Sequence, residues 1–172
     1  MPEQIERRLA AILVTDIAGY SRLANMDEDR ILARLRTLRS DLIDPIISVH
    51  RGRIVKRTGD GSIIEFRSVV DAVRCAIEVQ NGLIEHNAGV TEDRRIEFRV
   101  GIHVGDVVEE SDGDLIGDGV NIAARLEGVA KPGAICLRGR LPPGKGTARS
   151  CGQGSRPDPT QEHRRADPGI LA

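Results

Sequence analysis

Residues 53–66 read RIVKRTGDGSIIEF, the clearest local pattern in the chain. Two short runs of strand-forming residues, 53–57 and 62–66, flank the triplet Gly59-Asp60-Gly61. Glycine and aspartate are common in tight turns, so the stretch predicts a β-hairpin whose tip carries the Asp60 carboxylate. The elements on either side of the hairpin then determine the architecture.

On the N-terminal side, the pattern predicts a buried strand followed by a long helix. Residues 9–14 are an unbroken apolar run, typical of a strand covered on both faces, and Asp16 lies at its end. From residue 21 to about 49, apolar side chains recur every three or four positions, which predicts a helix packed on one side. A break is expected near Pro45, because proline removes a helical hydrogen bond.

On the C-terminal side, the pattern predicts two more helices with strands between them. Ser68 and Asp71 form a capping-box signal, and apolar residues continue at helical spacing to residue 84. Residues 96–103 and 106–109 are expected to form two strands on either side of Gly105. A third helix should run from about 118 to 129, and a strand should follow over 134–137.

This order of elements predicts one α+β domain over residues 1–137. It mixes hairpins with helical crossovers, which favours an antiparallel or mixed sheet covered by helices. The chain is long enough for a sizeable core. Aromatic residues make up only 2% of the sequence, so the core should consist mainly of aliphatic side chains.

Residues 138–172 differ sharply in composition from the rest of the chain. They hold five of the eight prolines and six of the nineteen glycines, and they show no helix or strand period. Such a segment buries too little apolar surface to offset its ordering entropy, so we predict a disordered tail. The abrupt change is what a truncation or a shifted reading frame would leave.

Charge, cysteine content and hydropathy limit the classes of function. The formal net charge is −1, with +4 on residues 138–172 and −5 on the remainder, which argues against sequence-independent nucleic-acid binding. The three cysteines have no metal-ligand spacing, and their odd number favours reduced thiols over a disulfide framework. No stretch is apolar enough to span a bilayer and the first residues are not a signal sequence, so a cytoplasmic location is expected.

Three stretches contain polar residues of the kinds that nucleotide chemistry uses. They are LAAILVTDIAGYS at 9–21, VKRTGDGS at 55–62 and DLIGDGVNIAARLEG at 114–128, with GIHVG at 101–105 between the last two. Together they resemble the catalytic domain of class III adenylate and guanylate cyclases over roughly residues 8–137. The resemblance implies a ferredoxin-like sheet covered by helices. It also implies further C-terminal strands, which the sequence of 138–172 does not provide.

Asp16 and Asp60 are the candidate ligands of two divalent cations, Mg²⁺ or Mn²⁺. Cyclisation requires the ribose 3′ hydroxyl to attack the α-phosphate while pyrophosphate leaves, and two cations can stabilise both oxygens. Hard cations prefer carboxylate and phosphate oxygens. The strand end and the hairpin tip would converge if their strands are neighbours, although either aspartate alone is more commonly a turn residue.

Lys56 and Asp114 are the candidate base-reading pair. Adenine offers an acceptor at N1 and a donor at its 6-amino group, which an ammonium and a carboxylate match, whereas guanine presents the opposite polarity. By resemblance, the two residues occupy the base-reading positions of adenylate cyclases, which implies ATP rather than GTP as substrate. Without the surrounding motif, a solvated lysine and a loop aspartate would be the more common interpretation.

Asn121 and Arg125 are four residues apart, so a helix places them on one face. In the family, the matching asparagine orients the ribose and the matching arginine stabilises charge on the α-phosphate, a role suited to a guanidinium. Arg99 matches an arginine that contacts the β- and γ-phosphates. For each, the alternative is a polar residue on an ordinary surface. His103 is interpreted as structural, because nothing near it completes a metal site or a triad.

The resemblance also implies that the site forms between two protomers. In class III cyclases, two sets of residues face each other across a dimer interface. One set corresponds to Asp16, Asp60 and Arg99, and the other to Lys56, Asp114, Asn121 and Arg125. A chain that holds both sets would build two equivalent sites in a symmetric homodimer.

Two alternative functions remain open. The first is a non-catalytic nucleotide-binding or dimerisation module, in which the altered C-terminal end has abolished turnover. The second is another palm-type nucleotidyl enzyme, such as a diguanylate cyclase, but the GG(D/E)EF signature of those enzymes is absent from the sequence.

Residues 139–145, GRLPPGK, match part of a phosphate-binding loop but carry little weight. Gly146 stands where serine or threonine should bind Mg²⁺. Two prolines also remove backbone N–H donors that would have to cradle the phosphate.

Overall fold

The protein is described by a computed structural model that covers residues 7–138, in which a six-stranded sheet carries helices on both faces. The strands are β1 (Arg7–Ile17), β2 (Arg53–Thr58), β3 (Gly61–Phe66), β4 (Phe98–Glu109), β5 (Leu115–Ile116) and β6 (Ile135–Arg138). The helices are α1 (Tyr20–Leu38), α2 (Asp44–Val49), α3 (Val69–His86) and α4 (Asp118–Val129). The predicted α+β class is confirmed.

The sheet has the strand order of a ferredoxin-like core. Its order is β2-β3-β1-β4-β5, with antiparallel pairing at every step, and β6 adds to β4 in parallel. The central strand β1 therefore lies between the hairpin strand β3 and the long strand β4. This arrangement places the C-terminal end of β1 beside the hairpin tip, because Thr15 pairs with Ser62.

The core has two layers, one on each face of the sheet. The larger layer lies under α1, α2 and α3 and includes Leu13 and Phe66; the smaller lies under α4 and includes Ile12 and Ala123. Ile12 and Leu13 point to opposite faces and are 0% and 4% exposed. Residues 10–13 of the apolar run are thus buried on both faces, as predicted, whereas Leu9 at its start is 68% exposed.

The helix predicted over residues 21–49 is interrupted twice. At Asp27 the backbone leaves the helical region, and the Asp27 carboxylate accepts a hydrogen bond from the N–H of Arg30 at 3.1 Å. A single π-helical turn over Arg39–Ile43 then joins α1 to α2. Pro45 is the second residue of α2, directly after the π-helical turn, so the irregularity lies just before the proline.

The prediction of two strands over 96–103 and 106–109 is wrong, since β4 runs without a break from Phe98 to Glu109. Gly105 stays in the ladder opposite Ala10. A β-carbon on Gly105 would lie 2.8 Å from the Cα of Gly119 in α4. The glycine therefore marks the close approach of a helix rather than a turn. The short strand β5 was not predicted.

The remaining helices begin and end near the predicted residues. Ser68 caps α3 by accepting a hydrogen bond from the N–H of Val70 at 3.2 Å, and α4 spans the predicted 118–129. No helix among residues 7–138 is both long and apolar enough to cross a membrane. Apart from Arg138, the predicted tail over 138–172, with its GRLPPGK segment, lies outside the described residues.

Candidate active site

Asp16 and Asp60 lie together at one end of the sheet. Asp16 is near the end of β1 and Asp60 is in the turn between β2 and β3. Partial burial, a hydrogen bond with Asp16 and the charge of Asp16 together raise the pKa of Asp60 to about 6. Two carboxyl groups this close disfavour double ionisation. A cation between the two carboxylates would remove the repulsion between their charges. The two side chains converge, as expected from the sequence.

Glycine at position 61 permits the turn that carries Asp60 to lie this close to Asp16. A β-carbon there would overlap the carbonyl oxygen of Thr15 and lie 3.3 Å from Oδ1 of Asp16. Gly59, on the other side of Asp60, adopts a left-handed backbone with φ 66°, which favours glycine. The geometry of the hairpin tip therefore explains why both positions that flank Asp60 are glycine.

Arg99 contacts the first of these aspartates. It is the β4 partner of Asp16 in the sheet register, and its Nη2 lies 3.2 Å from Oδ2 of Asp16. On its other side, Nε lies 3.1 Å from Oε1 of Glu127 in α4, although the angle is too poor for a hydrogen bond and both atoms are buried. Burial raises the pKa of Glu127, and the charge of Arg99 opposes that rise. Glu127 was not among the residues predicted from the sequence. The contact of Arg99 with the β- and γ-phosphates stays a prediction.

Lys56 and Asp114 form an ion pair. Nζ of Lys56, on β2, lies 2.6 Å from Oδ2 of Asp114, which directly precedes β5. The hydrogen bond to Asp114 and its charge raise the pKa of Lys56, and the same hydrogen bond lowers the pKa of Asp114. Oδ1 of Asp114 accepts from the N–H of Leu115 at 2.9 Å, so the carboxylate is held in place. A cationic donor and an anionic acceptor are therefore presented side by side.

Asn121 and Arg125 lie on the exposed face of α4. The opposite face of this helix packs on the sheet through Gly119 and Ala123, which are buried. No side-chain hydrogen bond or ion pair ties Asn121 or Arg125 to another residue in the range 7–138. The two side chains thus share one exposed helix face, as the spacing predicted, and their contact with a substrate stays a prediction.

Within residues 7–138, the seven predicted site residues fall into three separate groups. Asp16, Asp60 and Arg99 form one group, Lys56 and Asp114 the second, and Asn121 and Arg125 the third. No ion pair or side-chain hydrogen bond joins one group to another. His103 lies outside all three, with Nδ1 3.4 Å from the carbonyl oxygen of Arg138.

A family model described as the adenylate and guanylate cyclase catalytic domain matches residues 4–141. The chain belongs to this family. Among curated proteins, the putative adenylate cyclase 3 of Rhizobium meliloti (strain 1021) is 47% identical over 135 residues, which are 78% of this chain and 23% of that protein. An adenylate cyclase of Streptomyces coelicolor (strain ATCC BAA-471 / A3(2) / M145) is 32% identical over 78% of this chain and 33% of its own length. The chain thus spans a third or less of each of these relatives.

Solved structures show the same fold. The crystal structure of an adenylate/guanylate cyclase/hydrolase from Silicibacter pomeroyi is 47% identical, with a TM-score of 0.71 over 77% of this chain and 76% of that one. The guanylyl cyclase Cya2 is 25% identical, with a TM-score of 0.66 over 76% and 75% of the two chains. The sheet and helices described above are therefore those of the nucleotide cyclase fold.

In this cyclase domain, Arg39 holds the hairpin tip and was missed by sequence reasoning. From the π-helical turn, its Nη2 donates to the carbonyl oxygen of Gly59 at 2.6 Å and lies 3.5 Å from that of Gly61. Burial and the charge of Arg57 lower the pKa of Arg39, while Asp60 is among the groups that oppose this shift. In the sequence, Arg39 is one of many charges on a helix, so no pattern singled it out.

The carboxylates of the cyclase domain fit a divalent cation. Residues 7–138 contain no group of three or more His, Cys, Asp or Glu side chains that could hold a metal ion alone. The pair formed by Asp16 and Asp60 supplies hard oxygen ligands at a position where negative charge is already crowded. Such a site would need further oxygens, and the phosphate oxygens of a nucleotide would provide them.

Proposed function

We propose that this cyclase domain is an adenylate cyclase, which converts ATP to 3′,5′-cyclic AMP and pyrophosphate. The observation that carries the choice of ATP is the contact between Lys56 and Asp114. It presents a donor for N1 of adenine beside an acceptor for the 6-amino group. The guanine base has N1–H and O6 at those places, so both contacts would be repulsive with GTP. The relative of 47% identity whose name is putative adenylate cyclase 3 supports the same choice.

The proposed reaction forms the bond from the ribose 3′ oxygen to the α-phosphorus and breaks the bond from that phosphorus to the leaving pyrophosphate. Two divalent cations, Mg²⁺ or Mn²⁺, held by Asp16 and Asp60, would stabilise the attacking and leaving oxygens. Asn121 orients the ribose so that its 3′ hydroxyl faces the phosphorus, and the hydroxyl proton passes to solvent as the new bond forms. Arg125 stabilises the charge that develops on the α-phosphate.

Arg99 is proposed to contact the β- and γ-phosphates. To do so, its guanidinium would have to exchange part of its contact with Asp16 for phosphate oxygens, since Asp16 would then face a cation. Five N–H donors allow an arginine to keep one carboxylate while binding a second anion. The pairing of Arg99 with Glu127 would keep the guanidinium at the sheet surface during that exchange.

The proposed active assembly is a symmetric homodimer. In each protomer, the groups around Asp16 and around Lys56 are not joined by any ion pair or side-chain hydrogen bond within residues 7–138. In a two-fold dimer, the carboxylates of one protomer would meet the base-reading pair and α4 of its partner. Each dimer would then contain two equivalent sites.

The test is cyclic nucleotide formation by the purified full chain. The protein is incubated with ATP or GTP and either Mn²⁺ or Mg²⁺, and products are separated by liquid chromatography. We expect cyclic AMP from ATP, much less cyclic GMP from GTP, and no product from an Asp16→Asn variant. A folded dimer that binds ATP but forms no product would instead support the non-catalytic alternative.

A further inference from the structure

Four charged side chains form a closed ring at the end of the sheet away from Asp60. The ring comprises Arg8 of β1, Arg53 of β2, Glu65 of β3 and Glu109 of β4. Each arginine contacts both glutamates. Arg8 pairs with Glu65 and, at 2.8 Å, with Glu109, while Arg53 lies 2.8 Å from Glu65 and 3.0 Å from Glu109. We call these four residues the strand-end ring.

The strand-end ring connects strands that are not neighbours. In the sheet order, β3 and β1 separate β2 from β4. Three strand spacings would place β2 and β4 roughly 14 Å apart in a flat sheet. The long side chains of Arg53 and Glu109 nevertheless meet directly at 3.0 Å, so the ring links β2 to β4 across the two strands between them.

The ring is anchored by a buried carboxylate. The side chain of Glu65 is 9% exposed, whereas that of Arg53 is 43% exposed. A buried carboxylate is tolerated only with good partners, and Glu65 has two guanidinium groups. Glu65 thus fixes the position of Arg53, whose outer face remains open to solvent and to the neighbouring turn.

The ring also contacts the turn that carries Asp114. Nη1 of Arg53 lies 3.5 Å from the carbonyl oxygen of Gly113, the residue before Asp114. Two backbone hydrogen bonds close this turn, from Gly113 N–H to Glu110 and from Glu110 N–H to Asp114, each 2.9 Å long. Arg53 thus contacts β4 through Glu109 and the turn that follows β4 through Gly113.

Lys56 lies three residues after Arg53 on the same strand, and its partner is Asp114. The β2 strand therefore reaches the turn at two points, once through Arg53 and once through the base-reading pair. A bulge in the β2–β3 ladder falls between Ile54 and Lys56. The contact through Lys56, at 2.6 Å, is the shorter of the two links, and the contact through Arg53, at 3.5 Å, gives the strand a second point of attachment to the turn.

We propose that Arg53 is a positioning residue that sets the distance between Lys56 and Asp114 and thereby the discrimination between adenine and guanine. The inference rests on the proposed function, since it assigns a further residue to the same site. A positioning role requires that the loss of Arg53 affects base selection more than turnover. The groups proposed for the chemical step, at Asp16 and on α4, have no hydrogen bond or ion pair with Arg53 in the described part of the chain.

The test compares Arg53→Met with Arg51→Met in the full chain. Arg51 lies two positions earlier, is 83% exposed and pairs with Asp71 of α3 at 3.5 Å, away from the turn. For Arg53→Met we expect the ratio of kcat/KM for ATP to that for GTP to fall about fivefold or more, through a higher KM for ATP with kcat nearly unchanged. Arg51→Met should keep the wild-type ratio.

Arg53→Lys provides a second variant in case Arg53→Met does not fold. Lysine keeps the charge but cannot bridge two carboxylates and a carbonyl as a guanidinium does. The same fall in the ATP to GTP ratio is expected. Equal losses with both nucleotides, or an unchanged ratio in a folded variant, would overturn the positioning role.

The outcome is separable from that of the proposed function. If the wild-type chain makes no cyclic product, the proposed activity fails, and the inference is then tested by equilibrium binding of ATP and GTP to the same variants. A wild type that prefers ATP and an Arg53→Met variant that loses the preference would support the positioning role alone. Unchanged preference in binding would overturn it.

Discussion

Nζ of Lys56 and Oδ2 of Asp114 lie 2.6 Å apart, although 58 positions separate the two residues in the sequence. This contact crosses from the edge strand β2 to the turn before β5. It brings the edge strand β2 against a turn that follows the distant strand β4. The candidate base site is therefore a product of tertiary packing rather than of any single motif.

Replacement of Lys56 by methionine should weaken ATP binding. Methionine keeps most of the apolar stem but removes the donor for adenine N1. A hydrogen bond from a charged donor contributes about 1.5–3 kcal/mol, so we expect the KM for ATP to rise by about tenfold or more. Lys131→Met, at an exposed loop lysine, is the matched control and should leave steady-state kinetics unchanged. An unaltered KM in Lys56→Met would contradict the assignment of this pair to the base.

Replacement of Asp60 by asparagine should stabilise the fold at neutral pH while abolishing activity. The pKa of Asp60 is raised to about 6 from an ordinary value of 3.8, so the folded state binds the proton more tightly than the unfolded state. Its contribution to stability is present below pH 3.8 and is lost as the pH rises through 6. The melting temperature of Asp60→Asn, measured without divalent cations, should exceed that of the wild type at pH 7.5. The difference should shrink towards pH 4.

Replacement of Arg39 by glutamine should loosen the hairpin tip that carries Asp60. The guanidinium donates to the carbonyl of Gly59 at 2.6 Å, and glutamine is too short to keep that bond. We expect the Mn²⁺ concentration for half-maximal activity to rise about fivefold, while the KM for ATP changes less. Arg36→Gln, on the exposed side of the preceding helical turn, is the control. Equal behaviour of the two variants would show that Arg39 does not position the tip.

Replacement of Gly61 by alanine should destabilise the domain, whereas Gly128→Ala should not. An added β-carbon at 61 would overlap the backbone oxygen of Thr15, which is held in the sheet, and overpacking of this kind costs about 1–3 kcal/mol. At 128, in α4, nothing lies within 4 Å, so alanine should be neutral or stabilising. Urea unfolding of both variants measures the difference. A wild-type midpoint for Gly61→Ala would contradict the close approach of β1 and the turn.

Mixing two inactive variants should restore activity if the site is shared between protomers. Asp16→Asn damages the carboxylate group and Asn121→Ala damages the ribose contact, so neither homodimer has a complete site. A mixed dimer has one damaged site with both changes and one intact site. After the variants are combined and allowed to exchange subunits, we expect cyclic AMP formation well above that of either alone. Two variants that stay inactive in a verified mixed dimer would argue for a site within one protomer.

Several elements could be predicted because their causes are local. The apolar run of β1 reports burial on both faces, and the GDG triplet marks the hairpin because only glycine suits the left-handed backbone at Gly59 and the contact at Gly61. Residues 118–129 form α4 as the pattern predicted. The family motifs also indicate which residues form the candidate site, although the roles of those residues stay proposals.

Other features could not be predicted because their causes lie far away in the chain. Gly105 looked like a turn, yet it continues β4, since its lack of a side chain serves the approach of α4. Arg39 and Glu127 looked like ordinary helix charges, and only the π-helical turn and the packing of α4 bring them to Asp60 and Arg99. In each case the deciding partner comes from another element, which local spacing does not encode.

Local patterns in the amino-acid sequence were enough to predict the helical segments, most of the strands, the family and the identities of the polar groups, because periodicity, turn chemistry and motifs act over a few neighbouring residues. Which of those groups meet depends on the tertiary structure. The packing of the turn before β5 against β2 joins Lys56 to Asp114, and antiparallel register sets Arg99 beside Asp16. Both depend on the packing of strands that are distant in sequence, where burial and pairing across the whole sheet fix the distances.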